Sequence, residues 1–146
     1  MKFTIKEASI DDAINPLFDL EQNIFTQHYH LRSPSKKFFL DWLKKSKIYA
    51  VYAKNMMIGY GAYERKDTGA EITILAVLKH YRNKKVGSLI MNKILSDLKD
   101  MSVEVKTHPE NPAVNFYQKF GFIKGKIIDN YLGLGQPRLT LTRNPL

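Results

Sequence analysis

Leu75-Ala76-Val77-Leu78-Lys79-His80-Tyr81-Arg82-Asn83-Lys84-Lys85-Val86-Gly87-Ser88 is the stretch on which the reading of this chain turns. It passes from an apolar segment through a basic loop into the start of a helix. The strand signal reaches back to Glu71, so Glu71 to Leu78 is the most β-rich run and the expected central strand. The helix signal runs forward, with Val86, Leu89, Ile90, Ile94, Leu95 and Leu98 close to the i, i+3, i+4 template. Between them, Lys79, His80, Arg82, Lys84 and Lys85 fall within seven residues. A helix N-terminus carries unpaired N–H groups and about half a positive charge, which suits a phosphate or diphosphate. Gly87 permits close backbone approach. The residues therefore indicate an anion at this turn, set against an ordinary connection with a solvated basic face. A Walker phosphate loop is excluded, because its Gly-x-x-x-x-Gly-Lys-Ser/Thr spacing is missing.

Upstream of the central strand, Lys2 to Lys6 alternates like a first strand. Ser9 and Asp12 resemble a capping box, followed by helical spacing at Ala13, Leu17, Leu20 and Ile24. Pro16 is tolerable there only near the helix start. Ser33-Pro34 reads as an N-cap and first-turn proline opening a second helix, with Phe38, Phe39, Trp42 and Leu43 apolar. Ile48 to Lys54 and Met57 to Arg65 are expected to form a hairpin, and Lys66-Asp67-Thr68-Gly69 a turn. Downstream, Ser102 to Thr107 is a short strand and Pro112 to Phe120 a helix stopped by Gly121. Phe122 to Tyr131 and Arg138 to Arg143 are the last strands.

The length of 146 residues suits one domain spanning 1–146, and 44% hydrophobic with 25% charged residues is a globular composition. No stretch approaches the roughly 18 apolar residues of a membrane span. The N-terminus alternates and lacks the apolar block of a signal peptide, so a cytoplasmic protein with no membrane partner is expected. Cysteine is absent, which rules out a disulfide framework, a thiolate metal site and a Cys nucleophile. The net charge of +9 points to an anionic partner without naming it.

The central stretch resembles the signature of the GNAT acetyltransferases, Leu-Ala-Val-x-x-x-Tyr-Arg-Gly-Lys-Gly-x-Gly. Leu75-Ala76-Val77, Tyr81-Arg82 and Gly87 agree in type and spacing, while Lys85 replaces the first glycine of the family's Arg/Gln-x-x-Gly-x-Gly/Ala motif. Asn111-Pro112-Ala113-Val114-Asn115-Phe116-Tyr117-Gln118-Lys119-Phe120-Gly121-Phe122 is similar to the family's second signature, Asn-x-x-Ala-x-x-Phe-Tyr-x-Lys-x-Gly-Phe. Ala113, Phe116, Tyr117, Lys119, Gly121 and Phe122 are in register, and the family's Asn falls on Glu110, one residue before Asn111. The resemblance covers roughly Glu71 to Tyr131. It implies an α/β fold: a mixed twisted sheet of about seven strands flanked by about four helices.

The resemblance also implies an activity, direct transfer of acetyl from acetyl-CoA as co-substrate to a primary amine, with no metal. Ala76 and Val77 would hold the pantetheine arm, and Arg82, Asn83, Lys84, Lys85, Val86, Gly87 and Ser88 the diphosphate. Asn111 and Ala113 would line the same cleft. Tyr117 matches the family's general acid, a phenol able to protonate departing CoA thiolate; by position alone, at helical spacing with Val114 and Phe120, it reads as an aromatic core residue. Glu71 sits where one branch of the family has its general base, and is otherwise a solvated carboxylate beside a turn. A base is needed because an amine of pKa near 10.4 is only about 0.1% neutral at pH 7.4. Tyr29, in His28-Tyr29-His30, and Tyr131, after Asn130, are candidates to contact the acceptor. The acceptor stays open among a protein N-terminus, a lysine, a polyamine and an amino sugar, and a homodimer is among the assemblies left open. Two rivals remain: a non-catalytic acyl-CoA-binding regulatory domain, and a nucleic-acid-binding module whose binding would depend steeply on salt.

Overall fold

The computed structural model describes residues 2–24 and 31–145. In chain order the elements are β1 (Phe3–Ala8), α1 (Ile14–Ile24), α2 (Lys36–Leu43), β2 (Lys47–Ala53), β3 (Met56–Lys66), β4 (Gly69–Val77), α3 (Val86–Asp97), β5 (Val103–Thr107), α4 (Ala113–Lys119), β6 (Ile123–Ile128) and β7 (Arg138–Arg143). Seven strands form one sheet in the order β1-β2-β3-β4-β5-β7-β6. Every neighbouring pair is antiparallel except β4 with β5. The expected mixed sheet with four helices is the architecture observed. Among the described residues, no helix is long and apolar enough to cross a membrane.

The helices divide between the two faces. On one, Leu17, Leu20 and Ile24 of α1 and Phe39 and Leu43 of α2 pack on Ile48, Ala50, Tyr60 and Ala62. On the other, Ile90, Met91 and Ile94 of α3 and Val114 and Tyr117 of α4 pack on Val51, Tyr63, Ile72 and Leu141. Gly61 lets α3 approach: a Cβ there would lie 2.4 Å from Ile90 Cγ2. A fully buried side chain of this kind contributes about 1.5–3 kcal/mol, against about 0–1 kcal/mol for an exposed ion pair. The two apolar layers, rather than surface charge pairs, therefore hold the sheet.

One irregularity reorganises the central strand. Ile72 pairs with Tyr63 and Ile74 with Ala62, so Thr73 is an extra residue on β4. A single inserted residue reverses which face each later side chain meets. Ala70 and Ile72 accordingly face α3 and α4, whereas Ile74 and Ala76 lie in the core beneath α1 and α2.

Three sequence expectations shift. The α2 cap is Ser35, whose Oγ accepts from Phe38 N at 3.1 Å, and not Ser33. Ser33 is buried instead, with its N and Oγ both donating to the Glu21 carboxylate. Ser9 contributes its carbonyl, which accepts from Ala13 N, and α1 begins at Ile14 without a Ser9–Asp12 box. The strand expected over Phe122 to Tyr131 ends at Ile128. Asn130 takes a left-handed φ of 55° and its Oδ1 accepts from Gly135 N, which closes a loop.

Candidate functional site

The parallel pair at the centre of the sheet is short. β4 pairs with β5 only over Ala70–Ile72 and Val103–Val105. β4 continues to Val77 against β3, and β5 continues to Thr107 against β7. The two strands therefore part just after Ile72, and the β5-side edge of β4 stays open along Thr73–Val77. They start together because Gly69, at φ 149°, brings β4 against Ser102: Ala70 N donates to Ser102 O at 2.9 Å, and a Cβ on Gly69 would sit 2.5 Å from that oxygen. An open strand edge presents backbone donors and acceptors in need of partners.

The open edge leads into the basic turn. Lys79–Tyr81 makes one 3-10 turn, and α3 then starts at Val86. The first amides of a helix have no intrahelical acceptor, and Lys85, the N-cap, supplies no side-chain cap. The amides of Val86, Gly87 and Ser88 thus converge with the positive end of the helix dipole. Asn83 and Lys85 adopt φ 62° and 66°, so the two signature glycine positions that this chain fills with other residues keep a glycine conformation. Both side chains are exposed. Arg82 behaves differently from a direct anion contact: its Nε donates to Val77 O at 3.0 Å, tying the turn to the end of β4.

Helix α4 closes one side of this region. A Cβ on Gly87 would lie 3.4 Å from Phe116 Cζ, so α3 and α4 meet there. Asn111 positions α4: its Nδ2 donates to Thr107 Oγ1 at 3.1 Å and its Oδ1 accepts from Ala113 N at 2.9 Å. Tyr117 is buried, with its ring edge-on to Phe116 and Phe122. Burial pushes its phenol well above the ordinary value of 10, so it stays protonated at neutral pH. Tyr117 is thus part of the α3/α4 core.

Glu71 lies one residue before the strands part. Its carboxylate receives Lys66 Nζ at 2.6 Å and Lys106 Nζ at 2.9 Å. Burial alone would raise its pKa, but the two ammonium groups outweigh burial and hold it below the ordinary value. Lys106 also reaches Glu104 at 2.5 Å, and its ammonium lies 5.7 Å from the ring centre of Tyr131. Burial disfavours the Lys106 charge, yet Glu104 and Glu71 raise its pKa above the ordinary range. Lys66 and Lys106 were not singled out from the sequence. The sequence carries no signal for Lys106, because the register that sets Glu71 opposite Glu104, and so calls for a counterion between them, appears only in the fold.

The remaining candidates scatter. Tyr29, with His28 and His30, lies outside the described residues. His80 is exposed in the 3-10 turn, and His108 Nδ1 accepts from Glu110 N within its own loop. Among the described residues, no group of three or more His, Cys, Asp and Glu could hold a metal ion. A hollow of about 480 Å³ is bounded by Asn23, Ile24, Met56 and Leu78 to Arg82; it touches the turn but not Glu71 or Tyr117.

Known proteins share this architecture. The E. coli ribosomal-protein-S18-alanine N-acetyltransferase superposes with a TM-score of 0.81 at 16% identity, over 97% of this chain and 93% of its own. Ard1 of Thermoplasma volcanium gives 0.82 at 24% identity, over 100% and 99%. A GNAT family acetyltransferase of Elizabethkingia anophelis, solved with acetyl-CoA bound, gives 0.78 at 20% identity, over 97% of each chain. In sequence, the uncharacterized protein YyaT of Bacillus subtilis is 22% identical over 120 residues, 81% of either chain. Residues 44–124, more than half the chain, match the family model of the acetyltransferase (GNAT) domain. The family match, together with the parted strands and the turn behind them, makes this chain a member of the GNAT acetyltransferase family.

Proposed function

We propose that this chain transfers an acetyl group from acetyl-CoA directly to a primary amine, carried by a small molecule or a protein. The observation that carries the reading is an open strand edge that leads into free helix amides, with Val77 O held by Arg82. It runs from the parting point at Ile72 along the open edge of β4 to the free amides of α3. From Ile72 to Val77 the edge spans about 16 Å at roughly 3.3 Å per residue. These features suit an extended arm ending in a diphosphate: the arm lies along the strand edge at Ala76 and Val77, and the helix amides, with Lys84 beside them, take the diphosphate. Acetyl-CoA, when bound, supplies an activated thioester.

The chain's own residues then divide the work. Asn111 and Ala113 set the start of α4, and α4 carries Tyr117. Tyr117 holds a proton on its Oη at neutral pH, ready for a leaving thiolate. Glu71, at the far end of the open edge, attracts the incoming ammonium. With its basicity reduced by two lysines, it passes the proton through water to solvent rather than storing it. Arg82 shapes the turn, and Tyr131 borders the acceptor side above Lys106.

Calorimetric titration with acetyl-CoA, followed by CoA-release assays over a panel of peptides, polyamines and amino sugars, tests the reading. One-to-one binding with release dependent on an amine is the expected result. Binding without transfer to any amine would assign the chain to a non-catalytic acyl-CoA-binding role; salt-sensitive RNA or DNA binding with no acetyl-CoA uptake would replace the reading altogether.

A further inference from the structure

Thr73 is the residue of β4 with a register partner on neither side. β3 pairs with Ile72 and Ile74 around it, and β5 pairs no farther than Ile72. The bulge and the parting point therefore coincide. The side chain is tied instead: Thr73 Oγ1 lies 3.1 Å from Ser46 Oγ, either hydroxyl able to donate, across 27 positions of sequence. Ser46 is itself fixed, because its N donates to Leu43 O at 2.9 Å in the turn between α2 and β2. Both residues are half-buried.

The neighbours of Thr73 show why a tie is needed. Ile72 and Ile74 are alike, so apolar burial alone does not decide where the extra residue falls. With the bulge one place later, Thr73 would take the position of Ile74 opposite Ala62, in the core beneath α1 and α2. Its hydroxyl would lose Ser46, and a buried hydroxyl without a partner is costly. Leu75 would still pair with Gly61, so the edge at Ala76 and Val77 and the amides of α3 would keep their places. Only the end of the edge beside the parting point would move. Bulges re-aim strands in this way at functional sites. We propose that the Ser46–Thr73 hydroxyl pair fixes the bulge at Thr73. Both are then positioning residues for the thioester end of bound acetyl-CoA, a role that rests on the acetyl-transfer reading above. They act through the backbone of β4 and leave the diphosphate end alone.

The test is a double-mutant cycle on the full chain, with Thr73→Val, Ser46→Ala and the double variant, and with Thr73→Ser as the conservative control. Each single variant should lower kcat by about threefold to tenfold, the scale of one neutral hydrogen bond. Acetyl-CoA affinity by calorimetry should stay within about twofold, because the arm and diphosphate contacts are unmoved. The double variant should be no worse than either single one, and Thr73→Ser should recover most of the loss. Amide exchange in the free protein should quicken severalfold around Thr73 and Ile74 in both single variants. That readout needs no substrate: if the wild type transfers acetyl to no amine, the acetyl-transfer reading fails while exchange still decides whether the pair fixes the bulge. If Thr73→Val does not fold, Ser46→Ala and Thr73→Ser decide. Exchange unchanged in the single variants overturns the proposal, as does quickened exchange with full kcat. So does a loss of kcat in Thr73→Val that Ser46→Ala does not share, which would put the Thr73 hydroxyl on the substrate itself.

Discussion

The two ends of β4 are built from different materials. At its C-terminal end, the open edge and the α3 turn present backbone groups, and Arg82 braces the turn on Val77 O. At its N-terminal end, Glu71, Glu104, Lys66 and Lys106 form a cluster made wholly of side chains. The difference predicts where sequence change is tolerated. A backbone cradle survives any substitution that keeps φ and ψ, which is how Lys85 stands in a glycine's place at φ 66°. A charge cluster changes with every residue exchanged.

The contrast can be broken most sharply at Tyr117, the side chain to which the proposed reaction gives the proton for the leaving thiolate. Tyr117→Phe is expected to lower kcat by about 10²-fold or more with acetyl-CoA affinity nearly unchanged, measured by steady-state kinetics beside calorimetry. Equal turnover would remove the phenol from the reaction. Next in size, Gly69→Ala should destabilise the fold by about 2 kcal/mol, read from urea denaturation. A Cβ there meets Ser102 O at 2.5 Å, and unaltered stability would contradict the close start of β4 and β5.

At the charge cluster, Lys106→Met removes one of the two ammonium groups that depress Glu71. The Glu71 pKa then rises, and the acid limb of kcat/KM moves to higher pH, with a severalfold loss on the acid side. The sign for stability follows from the same shift. A carboxylate lowered in the folded state adds stability above its unfolded value, near 4.5, and loses it as pH falls through the folded pKa. Lys106→Met should therefore flatten the stability decline below that value, and an identical pH profile in wild type and variant would detach Lys106 from Glu71. The smallest effect is expected at the turn itself. Lys85→Gly should relieve a left-handed lysine and stabilise by up to about 1 kcal/mol, leaving acetyl-CoA affinity within twofold. A large loss of affinity would show that the Lys85 side chain is part of the cradle.

What could be read from the sequence follows the same division. The turn was legible because strand, loop and helix start are contiguous, and local pattern reports local backbone. The strand and helix order was legible for the same reason. Thr73 was not, because Ile72-Thr73-Ile74 alternates regularly and nothing local marks an extra residue; only the pairing with Tyr63 and Ala62 exposes it. Ser33 and Ser35 both precede the same helix, and the choice between them was made by Glu21, twelve residues before Ser33, whose buried carboxylate needs donors. Bonds to a charged group of about 1.5–3 kcal/mol each outweigh an alternative cap worth about 1 kcal/mol. Glu71 was named from the sequence without its lysines, since Lys106 arrives from a strand 35 residues away.

Amide hydrogen exchange with and without acetyl-CoA tests the central claim most directly. The account predicts new protection along Thr73–Val77 and at Val86, Gly87 and Ser88, with little change in β1 or β2. Protection that appears elsewhere while these amides exchange as fast as before would contradict it.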